Sequence, residues 1–293
     1  MTRFGDYLEL VRAPAVLTVL GDTVAGGAAA GRALSGRWMW MPLASACLYA
    51  GGMALNDYAD RDIDARERPK RPIPSGRVSA GSALAAASAL TVAGLGLCAA
   101  AGGRSALALG IPLAASIWTY DLIAKDHALI GALSMGSCRA LDVLMGAGAG
   151  HVRPALGAAG IMGGHTVAVT LLSRGEVEGT DAVTASGAAA TTGLVAAAVV
   201  AGSSGPPARM LAVLAATAAY AARCGPAQIR AARSPAASNA LAATRAGIRA
   251  MIPLQAALAV RYGHPTAAGA LVALDVLGKI LRSRPNGRKV SES

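Results

Sequence analysis

Asn56, Asp57, Asp60 and Asp64 stand in the run NDYADRDID, and their types and spacing suit the binding of a divalent cation. The three aspartates fall at i, i+3 and i+7, so a continuing helix carries them on one face. Asn56 adds a neutral oxygen beside Asp57, one turn before Asp60. Asp62 points elsewhere and suits solvation of the loop. Carboxylates gathered on one face repel unless a cation neutralises them. Mg²⁺ takes one or two carboxylates and shares the rest of its shell with water and substrate phosphates. A solvated charge run is the plain alternative; the register, the leading Asn and the position at the end of an apolar run weigh against it. A second acidic stretch, SRGEVEGTD, places Glu176, Glu178 and Asp181 at the end of another apolar run.

The elements that must position these groups are membrane-length helices. The chain has 293 residues, 54% of them hydrophobic and only 15% charged. Stretches such as 80–103, 105–120, 155–172 and 182–202 hold no charge, or one at an edge. About 20 apolar residues cross a bilayer's hydrocarbon, so runs repeated in this way predict an all-α, polytopic transmembrane bundle. Spans are expected at 8–31, 38–57, 80–102, 105–122, 128–150, 155–173, 184–203 and 206–223, then at 246–262 and 265–281. That gives nine crossings, or ten if both of the last two cross, in one domain covering 1–293. Abundant Ala and Gly favour close helix packing in lipid. Trp38, Trp40, Trp118 and Tyr120 are the candidates for interfacial aromatics. The first apolar run lacks a short h-region with a cleavage site, so it is expected to remain as a helix.

The net charge of +11 reads as topology, not as a nucleic-acid surface, because the cations sit at helix ends. With the N-terminus inside, the 58–79 loop is cytoplasmic with six Lys/Arg and the 224–249 loop with four. Both acidic stretches then lie on the cytoplasmic face of the cell membrane. The basic tail, Arg282, Arg284, Arg288 and Lys289, also prefers the inside, which requires an even number of crossings. Cys47, Cys98, Cys138 and Cys224 are isolated and suit neither a disulfide nor a zinc site. Ionisable residues within spans face a cavity or pair with one another. Arg139 and Asp142, at i and i+3, therefore read as an ion pair or as cavity groups, and Asp22 as a cavity residue. Asp275 and Lys279 suit a helix-stabilising pair, and His165 a hydrogen-bonded core histidine.

Asn56–Asp57–x–x–Asp60–x–x–x–Asp64 resembles the first aspartate-rich motif, NDxxDxxxD, of the UbiA superfamily of intramembrane prenyltransferases. The following Arg71, Pro72, Pro74 and Gly76 resemble the loop those proteins carry after it, and LVRAPAVLTVLGDTVAGGA resembles their first helix. The likeness runs from helix one to about helix six. Where the family usually carries a DxxxD-type motif, this chain has Glu176, Glu178 and Asp181, a departure that resembles the divergent branch called EboC-like. Glu178 and Asp181 share a helical face and are expected to hold a second Mg²⁺, with Glu176 a weaker or outer participant. Gly175 and Gly179 permit a broken helix end, and a hydrophilic loop is the alternative.

The resemblance implies catalytic roles for Tyr120 and Lys125, in YDLIAK, and for Arg139, all facing the diphosphate. An interfacial Tyr with a snorkelling Lys explains the first two equally well. Arg71, Arg77, Asn56 and Asp22 are the candidate substrate-binding residues, although Arg71 and Arg77 also suit a purely topological role. The implied activity is Mg²⁺-dependent transfer of a prenyl group from a prenyl diphosphate to a small or lipophilic acceptor inside the bilayer. Diphosphate departs, an allylic carbocation forms, and the acceptor attacks it. Two other readings stay open: a membrane carrier, and a catalytically silent protein that binds isoprenoid lipid.

Overall fold

The structure, a computed structural model, describes residues 4–32 and 36–283. Among them every regular element is helical. The N-terminal part comprises α1 (Phe4–Leu10), α2 (Ala13–Val16) and α3 (Leu20–Ala29). Next come α4 (Met41–Ala59), the short α5 (Arg61–Glu67) and α6 (Ala80–Thr119). The rest is α7 (Ala128–Ala147), α8 (Val152–Ser173), α9 (Ala182–Ala201), α10 (Pro207–Arg233), α11 (Ala237–Arg261) and α12 (Pro265–Ser283). The basic-tail residues Arg284, Arg288 and Lys289 lie outside the described residues, as does the side chain of Arg282.

Helical segments 80–124, 128–147, 149–173, 182–201 and 207–233 are long and apolar enough to cross a membrane. Their outward faces suit lipid: Val92, Ile111, Leu194 and Leu211 are more than half exposed. α4 and α11 fall outside that set among the described residues. They carry Ser45, Asn56 and Asp57, and Thr244, Arg245 and Gln255, on the faces turned inward. α6 is two helices meeting at Gly103, whose φ of 59° and ψ of −144° are open to glycine at little cost. That corner divides the expected 80–102 and 105–122 spans.

Small residues set the closest helix contacts. α7 and α8 cross where a Cβ on Gly136 would stand 2.9 Å from the Gly163 carbonyl oxygen, and one on Gly163 3.0 Å from that of Gly136. α3 and α7 cross at Gly26 and Gly146 in the same manner, backbone against backbone. Glycine pairs at helix crossings are how bundles gain dispersion contact in lipid, where apolar burial supplies no drive.

Two expectations about the elements are corrected. The 8–31 run is not one helix. Arg12 takes a left-handed conformation (φ 47°, ψ 51°) between α1 and α2, and 3₁₀-type bonds link α2 to α3. The break is stabilised from outside the segment. Asp22 N–H donates to the Val19 carbonyl at 3.0 Å, which deprives the Thr18 carbonyl of its helical donor. Arg139 Nη1 (3.1 Å) and Gln255 Nε2 (2.7 Å) take its place. Irregular backbone at membrane depth persists only with such partners. The expected 224–249 loop is also mostly helix, since α10 continues to Arg233 and α11 starts at Ala237. Pro253 inside α11 has no N–H for the Arg249 carbonyl, and Arg223 donates to that oxygen at 3.3 Å.

Candidate active site

A cavity of about 380 Å³ opens among the connections that precede α2 and α3 and the helices α4, α6, α7, α8 and α11. Three levels follow from helix register. Its mouth is lined by Arg12, Asn56, Arg68, Asp121, Glu176 and Thr244. Apolar side chains make the middle: Leu48, Met53, Leu113, Ile117, Met135 and Val169. Thr18, Ser45, Arg139 and Asp142 form a polar floor. Asn56 and Ser45 lie about three turns apart on α4, so mouth and floor are separated by roughly 16 Å.

At the mouth the first acidic motif bends. α4 ends at Ala59 and α5 starts at Arg61, with Asp60 at the junction (φ −87°, ψ 2°). The aspartates therefore do not continue along one helix. Asp57 and Asp64 both turn to Arg71, whose Nη1 lies 3.2 Å from Asp57 Oδ1 and 2.6 Å from Asp64 Oδ2. Asp60 faces Lys125 Nζ at 2.5 Å. Arg12 Nη2 reaches Asp57 Oδ1 at 3.3 Å and Asn56 Oδ1 at 3.5 Å. Asn56 in turn donates to Asp121 Oδ1 at 3.0 Å. Asp62 is solvated, as expected.

Asn56, Asp57, Asp60 and Asp64 offer the hard oxygen donors that Mg²⁺ takes. Among the described residues no three His, Cys, Asp or Glu side chains form a ready-made metal cage. The carboxylates are balanced by Arg12, Arg71 and Lys125 instead. Cation exchange at the mouth fits such a site, because each motif carboxylate already holds at least one positive partner that a diphosphate would attract away.

The second acidic stretch departs from its expected register. α8 stops at Ser173, residues 174–178 turn, and Asp181 becomes the N-cap of α9. Its carboxylate accepts from Thr184 N–H at 2.8 Å and Thr184 Oγ1 at 2.6 Å, and these bonds hold it below the usual aspartate range. Glu178 and Asp181 are exposed and share no helical face. Glu176, expected at the periphery, is the member that lines the cavity. Burial raises its carboxyl above the usual range, while Arg245 and Arg68 pull against that.

Three further residues land elsewhere than expected. Arg77 bridges Asp6 (2.8 Å) and Glu9 (2.7 Å), tying α1 to the loop, and the Glu9 carboxylate holds its guanidinium protonated beyond the normal arginine range. Arg71 is committed to the motif's own aspartates, and Arg68 is the loop arginine on the cavity wall. Arg139 sits about three turns into α7, roughly 16 Å from the Lys125 end of that helix. It pairs with Asp22 and not with Asp142, and also donates to Thr18 and Met251. Asp142 accepts from Ser45 Oγ at 2.5 Å. Tyr120 is on the cavity wall, and Lys125 pairs with Asp60 beside the mouth.

Outside the cavity the bland readings hold. His165 Nδ1 meets Tyr220 Oη at 2.9 Å, and Nε2 meets the Gly247 carbonyl at 3.0 Å. Asp275 pairs with Lys279 at 3.2 Å and with Arg223 at 2.9 Å. Arg12, Arg68, Asp121 and Ser45 are cavity-lining residues that spacing did not single out. Only Asp121 carried a visible signal, an acid next to Tyr120 inside an otherwise apolar run.

The profile of the UbiA prenyltransferase family matches residues 16–223, most of the chain and all of the cavity wall before α11 except Arg12. This chain belongs to that family. It is 38% identical over 153 residues to a digeranylgeranylglyceryl phosphate synthase of Methanopyrus kandleri, covering 51% of this chain and 54% of that protein. A synthase of the same name from Ignicoccus hospitalis is 40% identical over 143 residues, covering 48% and 46%. The chain thus spans about half the length of the curated relatives it matches. Among solved structures it resembles a UbiA homolog from Archaeoglobus fulgidus bound to GPP and Mg²⁺, with a TM-score of 0.63 at 14% identity, covering 92% of this chain and 99% of that one. Likeness at that identity speaks to the fold. With the family and five apolar helices together, this UbiA-family chain is an integral membrane protein.

Proposed function

We propose that this chain transfers a prenyl group from a prenyl diphosphate to an acceptor within the membrane. One observation carries the reading: the mouth of an apolar cavity gathers Asn56 and Asp121 beside Arg12 and Arg68, with the Asp60–Lys125 pair next to it. A prenyl diphosphate has a tail that prefers hydrocarbon and a head whose charge cannot enter it, and this opening suits both ends. Mg²⁺, when held by Asn56 and the motif aspartates, would neutralise the diphosphate and stabilise it as a leaving group. Lys125, Arg12 and Arg68 supply fixed positive charge where the leaving oxygen develops its negative charge. The apolar middle excludes water from the allylic carbocation, and the acceptor attacks it there.

The whole chain is read as one such unit, with nine crossings, or ten if both of the last two apolar runs cross. Residues 58–79 and 174–183 are assigned to the cytoplasmic side. Single cysteines placed in either loop, on a background lacking Cys47, Cys98, Cys138 and Cys224, should resist an impermeant thiol reagent applied to intact cells. Labelling of either loop from outside would rule out a cytoplasmic mouth.

The function itself is tested by incubating purified protein with radiolabelled prenyl diphosphates of several chain lengths, with and without Mg²⁺. Mg²⁺-dependent binding and diphosphate release support a transferase. Binding without release supports a silent lipid binder, and no binding sinks the reading. In the same assay Glu176→Gln should weaken Mg²⁺-dependent binding, and Glu178→Gln should leave it unchanged. Asp181→Ala should lower the melting temperature through loss of the α9 cap, with binding intact. A binding defect in Glu178→Gln but not Glu176→Gln would reverse this assignment.

A further inference from the structure

We propose that Asp121 is a ligand of the divalent cation at the cavity mouth, joining Asn56 and Asp60 from the facing wall. This rests on the prenyl-diphosphate reading above and extends its metal site to a residue outside both acidic stretches. The carboxylates that line the cavity are Asp121, Asp142 and Glu176 among the described residues. Asp57 and Asp64 are instead turned to Arg71, and Asp142 lies on the floor. Asp121 and Glu176 are therefore the acids that reach the cavity at the level of Asn56, and Asp121 is the one hydrogen-bonded to Asn56.

Its surroundings suit a hard cation. Asp121 is 2% exposed, and Asn56 Nδ2 lies 3.0 Å from its Oδ1. Lys125, Asp60 and Arg12 act on it electrostatically, and Lys125 and Asp60 are 2.5 Å apart. Lys125 thus balances Asp60 and acts on Asp121, and a divalent ion held by Asp60, Asp121 and a reoriented Asn56 amide would supply that positive charge in its place. The backbone brings this about. Residues Tyr120–Ala124 form a π-helical turn, with Lys125 N–H donating to the Tyr120 carbonyl at 3.1 Å. The wider turn offsets the helix face beyond it and lets Asp121 and Lys125 both meet the first motif.

Independent features show that this cavity is built for a polar occupant. Thr244 Oγ1 and Asp142 Oδ1 belong to lining side chains that are 1% and 5% exposed, and neither atom has a hydrogen-bond partner. Polar atoms so buried are rarely left without one. Glu178 and Asp181, which the family pattern would send to the metals, face solvent, so an acid on another element has a place to fill.

The test measures binding of geranyl diphosphate to detergent-purified protein as a function of Mg²⁺ concentration, and binding of Mn²⁺ alone by electron paramagnetic resonance. Asp121→Asn keeps the size of the side chain and an oxygen for Asn56. It should raise the Mg²⁺ midpoint at least about tenfold, with binding recovered at saturating Mg²⁺. It should weaken Mn²⁺ binding to match, and Asp62→Asn should change neither. Asp121→Glu, which keeps the charge, should fall between Asp121→Asn and wild type, and it serves if Asp121→Asn does not fold. A wild-type Mg²⁺ midpoint in folded Asp121→Asn, or a loss that saturating Mg²⁺ does not restore, overturns the proposal. If wild type binds Mn²⁺ through Asp121 but never geranyl diphosphate, the prenyl-diphosphate reading fails and the metal ligand stands. If wild type binds neither, both fail.

Discussion

Asp60→Ala is expected to abolish Mg²⁺-dependent binding of a prenyl diphosphate and to lower transfer a hundredfold or more, on the order of 3 kcal/mol of transition-state stabilisation. The protein itself should remain folded and extractable in detergent. Asp60 stands at the α4–α5 junction, and its carboxylate is the most exposed of the motif's three register aspartates at 24%, against 5% and 4% for Asp57 and Asp64. Its removal leaves the buried Lys125 ammonium with Asp121 as its remaining acidic neighbour, which limits the loss of stability. Asp57→Asn and Asp64→Asn should behave differently. Each strips a partner from the partly buried Arg71 and should lower the melting temperature together with binding. Titration with geranyl diphosphate, with and without Mg²⁺, beside thermal unfolding of each variant, separates the two patterns. Unchanged Mg²⁺-dependent binding in folded Asp60→Ala would remove the first motif from the metal site.

Arg139→Met is the second large effect, and it falls on stability before activity. Asp22 is fully buried, and Arg139 is its cationic partner. Arg139 also satisfies the Thr18 carbonyl freed where α2 gives way to α3. Removing one partner of a buried pair typically costs about 3–5 kcal/mol, because the other charge stays behind without compensation. Folded yield after extraction should collapse. Asp22→Asn combined with Arg139→Met should recover part of it, since no lone carboxylate then remains and Gln255 still serves the Thr18 carbonyl. A simple grip on diphosphate would give the opposite pattern: a stable Arg139→Met protein with weak prenyl-diphosphate binding and no rescue by Asp22→Asn. Thermal unfolding of the two single variants and the double variant decides between them.

The features legible in the sequence are those written in local pattern. Apolar runs of membrane length announce helices because lipid leaves the backbone few other ways to satisfy its polar groups. The spacing of Asn56, Asp57, Asp60 and Asp64 is specific enough to point to the family that the profile match then established. His165 and the Asp275–Lys279 pair were also readable, since each depends on one helix and its immediate neighbours.

Helix ends were less legible, and the site depends on them. Successive α-helical residues are rotated by about 100°, so stopping α8 at Ser173 turns Glu178 and Asp181 out of any common face. The same early stop leaves Glu176 on the cavity wall, and Asp181 is drawn off to cap α9. Arg12 was hidden for a related reason. Its left-handed backbone conformation makes sense only once Asn56 and Asp57 stand opposite it.

By itself the sequence determined a bundle of membrane helices, its membership of the UbiA family and the first acidic motif, all carried by residues within a few turns of one another. Only the tertiary structure decided the partners: Arg139 with Asp22 across 117 positions, Ser45 with Asp142 across 97, and Asn56 with Asp121 across 65. The reason is physical. In an apolar bundle each buried charge or polar group must find whatever complement the helix crossings bring near it, and those crossings are set by glycine contacts such as Gly136 on Gly163, which no local spacing encodes.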